Sequence, residues 1–361
     1  MNHGSTVPRP VGTGRQQLSA AARAALDQAV PEETRRGYAG DWARFEAWAN
    51  LTGYPAMPCT AETLVEYTTV LTVVPRERTG EPYKPASIDR ALAAIVVAHK
   101  TAGRTPPDQT AARAILKAYE KRLKETKDPR GRVRKASAAV PTVLRRMITH
   151  TDLTTPSGLR DRVALTNGFA LAARSSEARL LDWEDAVQVE TGLEWDLWRP
   201  KVNNDQPLGV PYGSYHSTCP VRALLEWGQW LTDHGRPLTG PILIRTDRHG
   251  NIVPPMTRHG EPIGDPSGRM TTKGIGQIVT RAAKRAGLTR RPDTILPDGD
   301  PRWTGHALRR GYAEASRQAK KDPLEAARHG GWVDGSKAFA RYFDRAAIWD
   351  EELNPLFGIG L

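Results

Sequence analysis

The stretch GHALRRGYAEAS, Gly305–Ser316, carries the sharpest local pattern in the chain. Its apolar and small residues suit a helix, and His306 and Arg309 stand three apart at the helix start, so both side chains leave one face and can meet one ligand. A helix N-terminus adds backbone N–H donors toward an anion. Taken alone, H-x-x-R is a loose pattern that a surface ion pair explains in most proteins.

Two further stretches narrow the choice. Downstream, RHGGWVDGSKAFARYF at Arg328–Phe343 follows a Gly-Gly turn with Trp332 and a short helix bearing Tyr342. Upstream, GFALAARSSEARLLDWED at Gly168–Asp185 sets Arg174 at a break between two apolar helices, with Glu177 three residues later. An arginine in a tight turn flanked by core residues is an odd place for a merely solvated charge. Each of these side chains also has a plain structural use. Trp332 can be core packing, Tyr342 can be a core aromatic like Phe339 or Phe343, and Tyr312 is a rival phenol in the same region.

The rest of the chain supplies the setting. Its 361 residues suit two domains or three, and 39% hydrophobic residues suffice for real cores. Lys and Arg number 52 against 40 Asp and Glu, a net charge of +12. That excess favours a polyanion, nucleic acid before a membrane surface. No apolar run reaches spanning length, and no secretory leader pattern opens the chain. Cys59 and Cys219 are far apart and in no metal-ligand spacing, which suits a reduced, cytoplasmic protein. There is no Walker loop, GxGxxG, CxxC pair or HExxH, so ATP, dinucleotide and zinc chemistry gain no support and no cofactor is expected. His249 and His259 are assigned no metal role.

Residues 1–17 read as a mobile arm. From 18 to 127 the periodicity is helical. One stripe is Tyr38, Trp42, Phe45 and Ala49, which Gly53 can end; another is Leu64, Tyr67 and Leu71 behind a Thr60 cap. A third is Ile88, Leu92, Ile95 and His99 behind a Ser87 cap, and a fourth helix is expected near Gln109–Lys124. From Arg113 to Lys135 ten basic residues face only Glu120, Glu125 and Asp128. The part at 128–136 reads as an interdomain linker that is either a solvated connector or a cationic strap along a phosphate backbone. Lys121, Arg122, Lys124, Arg130, Arg132, Arg134 and Lys135 are the candidate DNA contacts of this basic stretch. Beyond 137 the pattern is mixed. Helices are expected at Pro141–Thr149, Leu159–Ala173 and Glu177–Leu181, then strands at Ala186–Val189, Leu193–Arg199 and Leu208–Pro211 about a turn at Asn203–Pro207. A helix at Pro220–Thr232 and a short strand at Pro241–Ile244 precede a loop with a hairpin candidate at Arg245–Arg269. The last helices are expected at Thr272–Ala286, His306–Ala319, Pro323–His329 and Ser336–Tyr342.

Together the three stretches resemble the tyrosine recombinase (phage integrase) family. Arg174-Ser175-Ser176-Glu177 with Asp182-Trp183 is similar to its arginine box, His306-Ala307-Leu308-Arg309 to its H-x-x-R box, and Ala340-Arg341-Tyr342 to its nucleophile segment. Gly330-Gly331-Trp332, with Trp instead of His, is similar to the Cre-like members, although Trp332 precedes Tyr342 by ten positions, about one more than in those members. The helical half is similar to the family's core-binding domain, particularly TRRGYAGDWARFEAWANLTG and SIDRALAAIVVAHKTAG, so the resemblance spans about 18–350.

The resemblance implies a mainly α fold with a small β-sheet: a core-binding bundle at 18–127 and a mixed α/β catalytic domain at 137–361. It implies Tyr342 as nucleophile, Arg174 and Arg309 as phosphate ligands, Trp332 as a neutral donor, His306 as base or orienter and Glu177 as a positioner. It also calls for a lysine on a strand turn after the arginine box, and Lys201 is the one lysine between Lys135 and Lys273. The implied partner is double-stranded DNA with inverted half-sites, held by a homotetramer whose apolar tail after Tyr342 docks either on its own domain or on a neighbour. A type IB topoisomerase-like or telomere-resolving enzyme, or a non-catalytic DNA-binding regulator, stays open as an alternative.

Overall fold

The computed structural model describes residues 31–77, 79–132, 135–200, 204–247, 249–252, 256–289 and 301–343. The expected arm at 1–17, Arg134, Lys201 and the tail from 344 onward lie outside them. The chain divides into two compact units, Met1–Val133 and Arg134–Leu361.

The described part of the first unit is built from α1 (Glu32–Thr52), α2 (Ala61–Val73), α3 (Pro85–Thr101) and α4 (Thr110–Glu125). The expected stripes face inward: Phe45, Ala49, Leu64, Tyr67, Leu71, Ile88, Leu92 and Ile95 are all buried. Each large side chain removed from water contributes about 1.5–3 kcal/mol. Gly53 ends α1 in the left-handed region at φ 78°, and the Thr60 side chain caps α2 by accepting from the Thr63 N–H. The expected Ser87 cap is corrected. The helix begins at Pro85, whose fixed φ suits a first helical turn, and Ser87 already lies inside it. His99 is structural: Nε2 accepts the Cys59 N–H at 2.9 Å and Nδ1 faces the Ile95 carbonyl at 2.8 Å.

In the second unit, α5 (Pro141–Thr149) and α6 (Pro156–Ala170) lead into the four-residue helix α7 (Ser175–Ala178). An antiparallel sheet follows, of β1 (Ala186–Val189), β2 (Gly192–Arg199) and β3 (Asn204–Pro211), in that order across the sheet. Then come α8 (Pro220–Asp233), the hairpin β4 (Met256–Arg258) and β5 (Glu261–Ile263), and α9 (Thr272–Arg285). The last elements are α10 (His306–Gln318), α11 (Pro323–His329) and α12 (Lys337–Phe343). The core gathers Trp195, Leu197, Trp227, Ile278 and Leu308 among others.

Two sheet expectations are corrected. Asn204–Pro207 belongs to β3 and not to a turn: Pro207 pairs with Asp196, and Arg199 with Asn204. Because β3 is an edge strand, a proline lacking its N–H is tolerated there. Pro241–Ile244 is no strand but ends in isolated bridges, Asp182 to Pro241 and Ile244 to Arg269. No described helix is long and apolar enough to cross a membrane.

Candidate active site

Arg174 sits at the N-cap of α7, just past the end of α6, with its own N–H bonded to Glu177 Oε2 at 3.0 Å. The Arg174 guanidinium pairs with Glu177 Oε1 and keeps 23% of its side chain exposed, while Glu177 is 1% exposed. Between α6 and α7 the chain turns at Ala172, whose φ of 47° places a non-glycine residue in the left-handed region. That conformation costs an alanine about 1–2 kcal/mol. The turned carbonyl of Ala172 accepts from Arg309 Nη1 at 2.7 Å.

Arg309 is buried on the first turns of α10. Its Nη1 also donates to the Gly330 carbonyl at 2.5 Å, and its Cζ lies 3.5 Å from the centroid of the Trp332 ring. Nη2 is buried and has no hydrogen-bond partner. Burial, with the cations of Arg174 and Arg199 adding to it, pulls the guanidinium down to about 9, and Glu177 opposes the shift. The group therefore stays charged at neutral pH.

The short α12 brings Tyr342 to the same place. Its Oη is 2.5 Å from His306 Nε2, and its ring stands edge-on to Trp332 with centroids 5.7 Å apart. Burial pushes the phenol above its ordinary value, and the cations of Arg309, Arg310 and Arg174 pull in the opposite direction. Trp332 packs on Phe339 at 4.8 Å, so the indole belongs to a small core and to the site at once. Gly305 permits the close approach of α10 to the arginine turn, since a Cβ there would lie 1.8 Å from Ser175 Oγ. The rival phenol, Tyr312, stacks on His329 and points its hydroxyl at the Ala326 carbonyl, 3.4 Å away.

Arg174, Glu177, His306, Arg309, Trp332 and Tyr342 therefore gather in one place, and Lys201 lies outside the described residues. Among the candidate DNA contacts, Lys121, Arg122, Lys124, Arg132 and Lys135 are exposed. Lys121 stands 3.7 Å from Glu125, and Arg122 lies over the Tyr119 ring. Arg130 differs, being held by Asp128 at 2.6 Å and by the Tyr119 hydroxyl at 3.3 Å. Arg134 is outside the described residues. Among the described residues, no group of three or more His, Cys, Asp and Glu could hold a metal ion.

Three polar residues at the site were not singled out from the sequence. Arg199, 0% exposed, pairs with Glu177 Oε2 at 2.9 Å. Gln206 accepts from Arg199 Nε at 2.7 Å, and Arg310 acts on Tyr342 through its charge while donating to the Ala136 carbonyl. For Arg199 a signal exists. Leu193, Trp195 and Leu197 alternate inward along β2, and residue 199 falls on the same face.

Comparison with known proteins agrees in kind. No family model matches the chain. An integrase/recombinase xerD homolog from Selenomonas ruminantium is 25% identical over 352 residues, 95% of this chain and 90% of that protein. Among solved structures, a lambda integrase(75-356) dimer bound to a COC' core site superposes with a TM-score of 0.53 at 14% identity, covering 89% of this chain and 92% of that one. A lambda integrase tetramer bound to a Holliday junction gives 0.51 at 13% identity, over 89% and 74% of the two chains.

Proposed function

We infer that this chain, a tyrosine recombinase of the integrase family, cleaves and rejoins DNA strands at specific sites through a 3′-phosphotyrosyl link on Tyr342. One arrangement carries the inference: a phenol hydrogen-bonded to His306 beside a buried guanidinium, Arg309, that holds an N–H with no partner.

The chemistry poses two proton problems and one charge problem. At neutral pH only about one free phenol in 10³ is ionised, roughly 4 kcal/mol from the nucleophilic form. His306 Nε2 is within reach to take the proton as Tyr342 Oη attacks phosphorus. Negative charge then grows on the non-bridging oxygens. Arg309 Nη2 and the partly exposed Arg174 would bind it, each contributing on the order of 10²–10³ in rate. Trp332 can donate an indole N–H but cannot act as an acid. Lys201 would protonate the leaving 5′ oxygen. Glu177 holds Arg174 in place. A 5′-hydroxyl from the partner strand reverses the sequence, expelling Tyr342. The phosphotyrosyl bond conserves the energy of the phosphodiester, so no ATP enters the scheme, and the two guanidiniums supply the charge stabilisation in it.

The substrate is duplex DNA with inverted half-sites, engaged by a homotetramer on paired sites through the basic side chains near Lys121–Lys135. The core-site dimer and Holliday-junction tetramer of lambda integrase support this by fold. The Gly330-Gly331-Trp332 box is of the Cre-like kind. The test, on a target site located by footprinting the purified protein on DNA, is Tyr342→Phe, which keeps its affinity for that footprinted site and forms no covalent adduct on a nicked suicide duplex. An adduct formed by the variant would assign the nucleophile elsewhere.

A further inference from the structure

Arg199 ends β2 on the inward face and is 0% exposed, so it cannot itself meet DNA. A guanidinium so placed must have its donors satisfied inside the protein, and each of its three nitrogens has a partner. Nε donates to Gln206 Oε1 at 2.7 Å, Nη1 to Glu177 Oε2 at 2.9 Å, and Nη2 to both the Leu171 carbonyl at 3.1 Å and the His329 carbonyl at 2.9 Å. Arg309 Nη1 takes the next carbonyl of each of those segments, Ala172 at 2.7 Å and Gly330 at 2.5 Å. Two guanidiniums thus stitch the same pair of segments, one residue apart. The remaining oxygen of Glu177 holds Arg174. Gly331 completes the fit: with φ at 64°, its missing Cβ would stand 2.4 Å from Arg199 Cδ.

We propose that Arg199 is a positioning residue for strand cleavage, setting Glu177 against Arg174 and holding the 171–172 and 329–330 carbonyls at the spacing that aims Arg309. Its role rests on the recombinase assignment above. Lysine cannot replace it, because one ammonium cannot serve acceptors spread around a planar fork.

The test compares single-turnover adduct formation on two suicide duplexes built on the footprinted site, one with the natural scissile phosphodiester and one with a methylphosphonate there. Methylphosphonate removes a non-bridging charge, so misaimed arginines matter less to it. Arg199→Lys is expected to slow the natural substrate by about 10–100-fold and the methylphosphonate by less than about threefold, with DNA affinity within about twofold. Arg174→Ala should show the same bias. If Arg199→Lys does not fold, Gln206→Leu removes the Nε partner, together with the Gln206 hydrogen bond to the exposed Arg328 carbonyl, and should show the bias at a few-fold level. Equal slowing on both substrates, or none, overturns the role of Arg199 while leaving the recombinase assignment intact. A wild-type chain that forms no adduct on either duplex overturns the assignment itself.

Discussion

His306 Nε2 lies 2.5 Å from Tyr342 Oη, although 36 positions separate the two residues. The contact joins the first turn of α10 to α12 and gives the phenol a proton acceptor inside hydrogen-bond reach. Because burial pushes Tyr342 above its ordinary value despite three opposing guanidiniums, the phenol is protonated at neutral pH. Removing the acceptor therefore leaves the rate hostage to the phenolate fraction. In His306→Ala, adduct formation should rise about tenfold per pH unit from pH 7 to 9, while the wild type changes far less. A pH-independent rate in the variant would contradict the assignment of His306.

Lys201 is assigned the proton for the leaving 5′ oxygen. Lys201→Ala should lose about 10²–10⁴ in cleavage rate on an ordinary duplex. On a duplex with sulfur at the bridging 5′ position the leaving group is a thiolate, which needs no proton. There the variant should approach the wild type. A defect of the same size on both duplexes would count against an acid role.

Glu177 is a buried carboxylate shared by Arg174 and Arg199. Glu177→Gln keeps the shape and removes the charge, leaving two guanidiniums without it. Breaking a buried pair in this way costs about 3–5 kcal/mol, to be read from the urea midpoint at constant slope. A change below about 1 kcal/mol would show that solvent compensates the charges.

Gly331 needs both its conformational freedom and its lack of a side chain. Gly331→Ala meets a left-handed penalty of about 1–2 kcal/mol and an overlap with Arg199 costing about 1–3 kcal/mol. Melting should fall accordingly, and cleavage should fall further than melting because the turn carries Trp332. An alanine variant with wild-type melting and rate would show that the turn relaxes freely.

Much of this was legible along the chain where the physics is local. The stripes through Phe45, Leu64 and Ile95 follow from the helical period, and His306 and Arg309 share a helix face by spacing alone. Local signals also misled in instructive places. Asn203–Pro207 looks like a turn by composition, yet an edge strand tolerates Pro207. Ser87 looks like a cap, yet Pro85 starts the helix two residues earlier.

By itself the sequence determined which segments are helical, which faces they bury, and which stretches carry the cationic and phenolic side chains, because these depend on neighbours within a few residues. Only the tertiary structure decided that Arg199 is bound to Glu177 across 22 positions and to His329 across 130, and that Arg309 keeps one buried donor unpaired. Such contacts arise when distant segments pack together, and no periodicity along the chain encodes which carbonyl a buried guanidinium will meet.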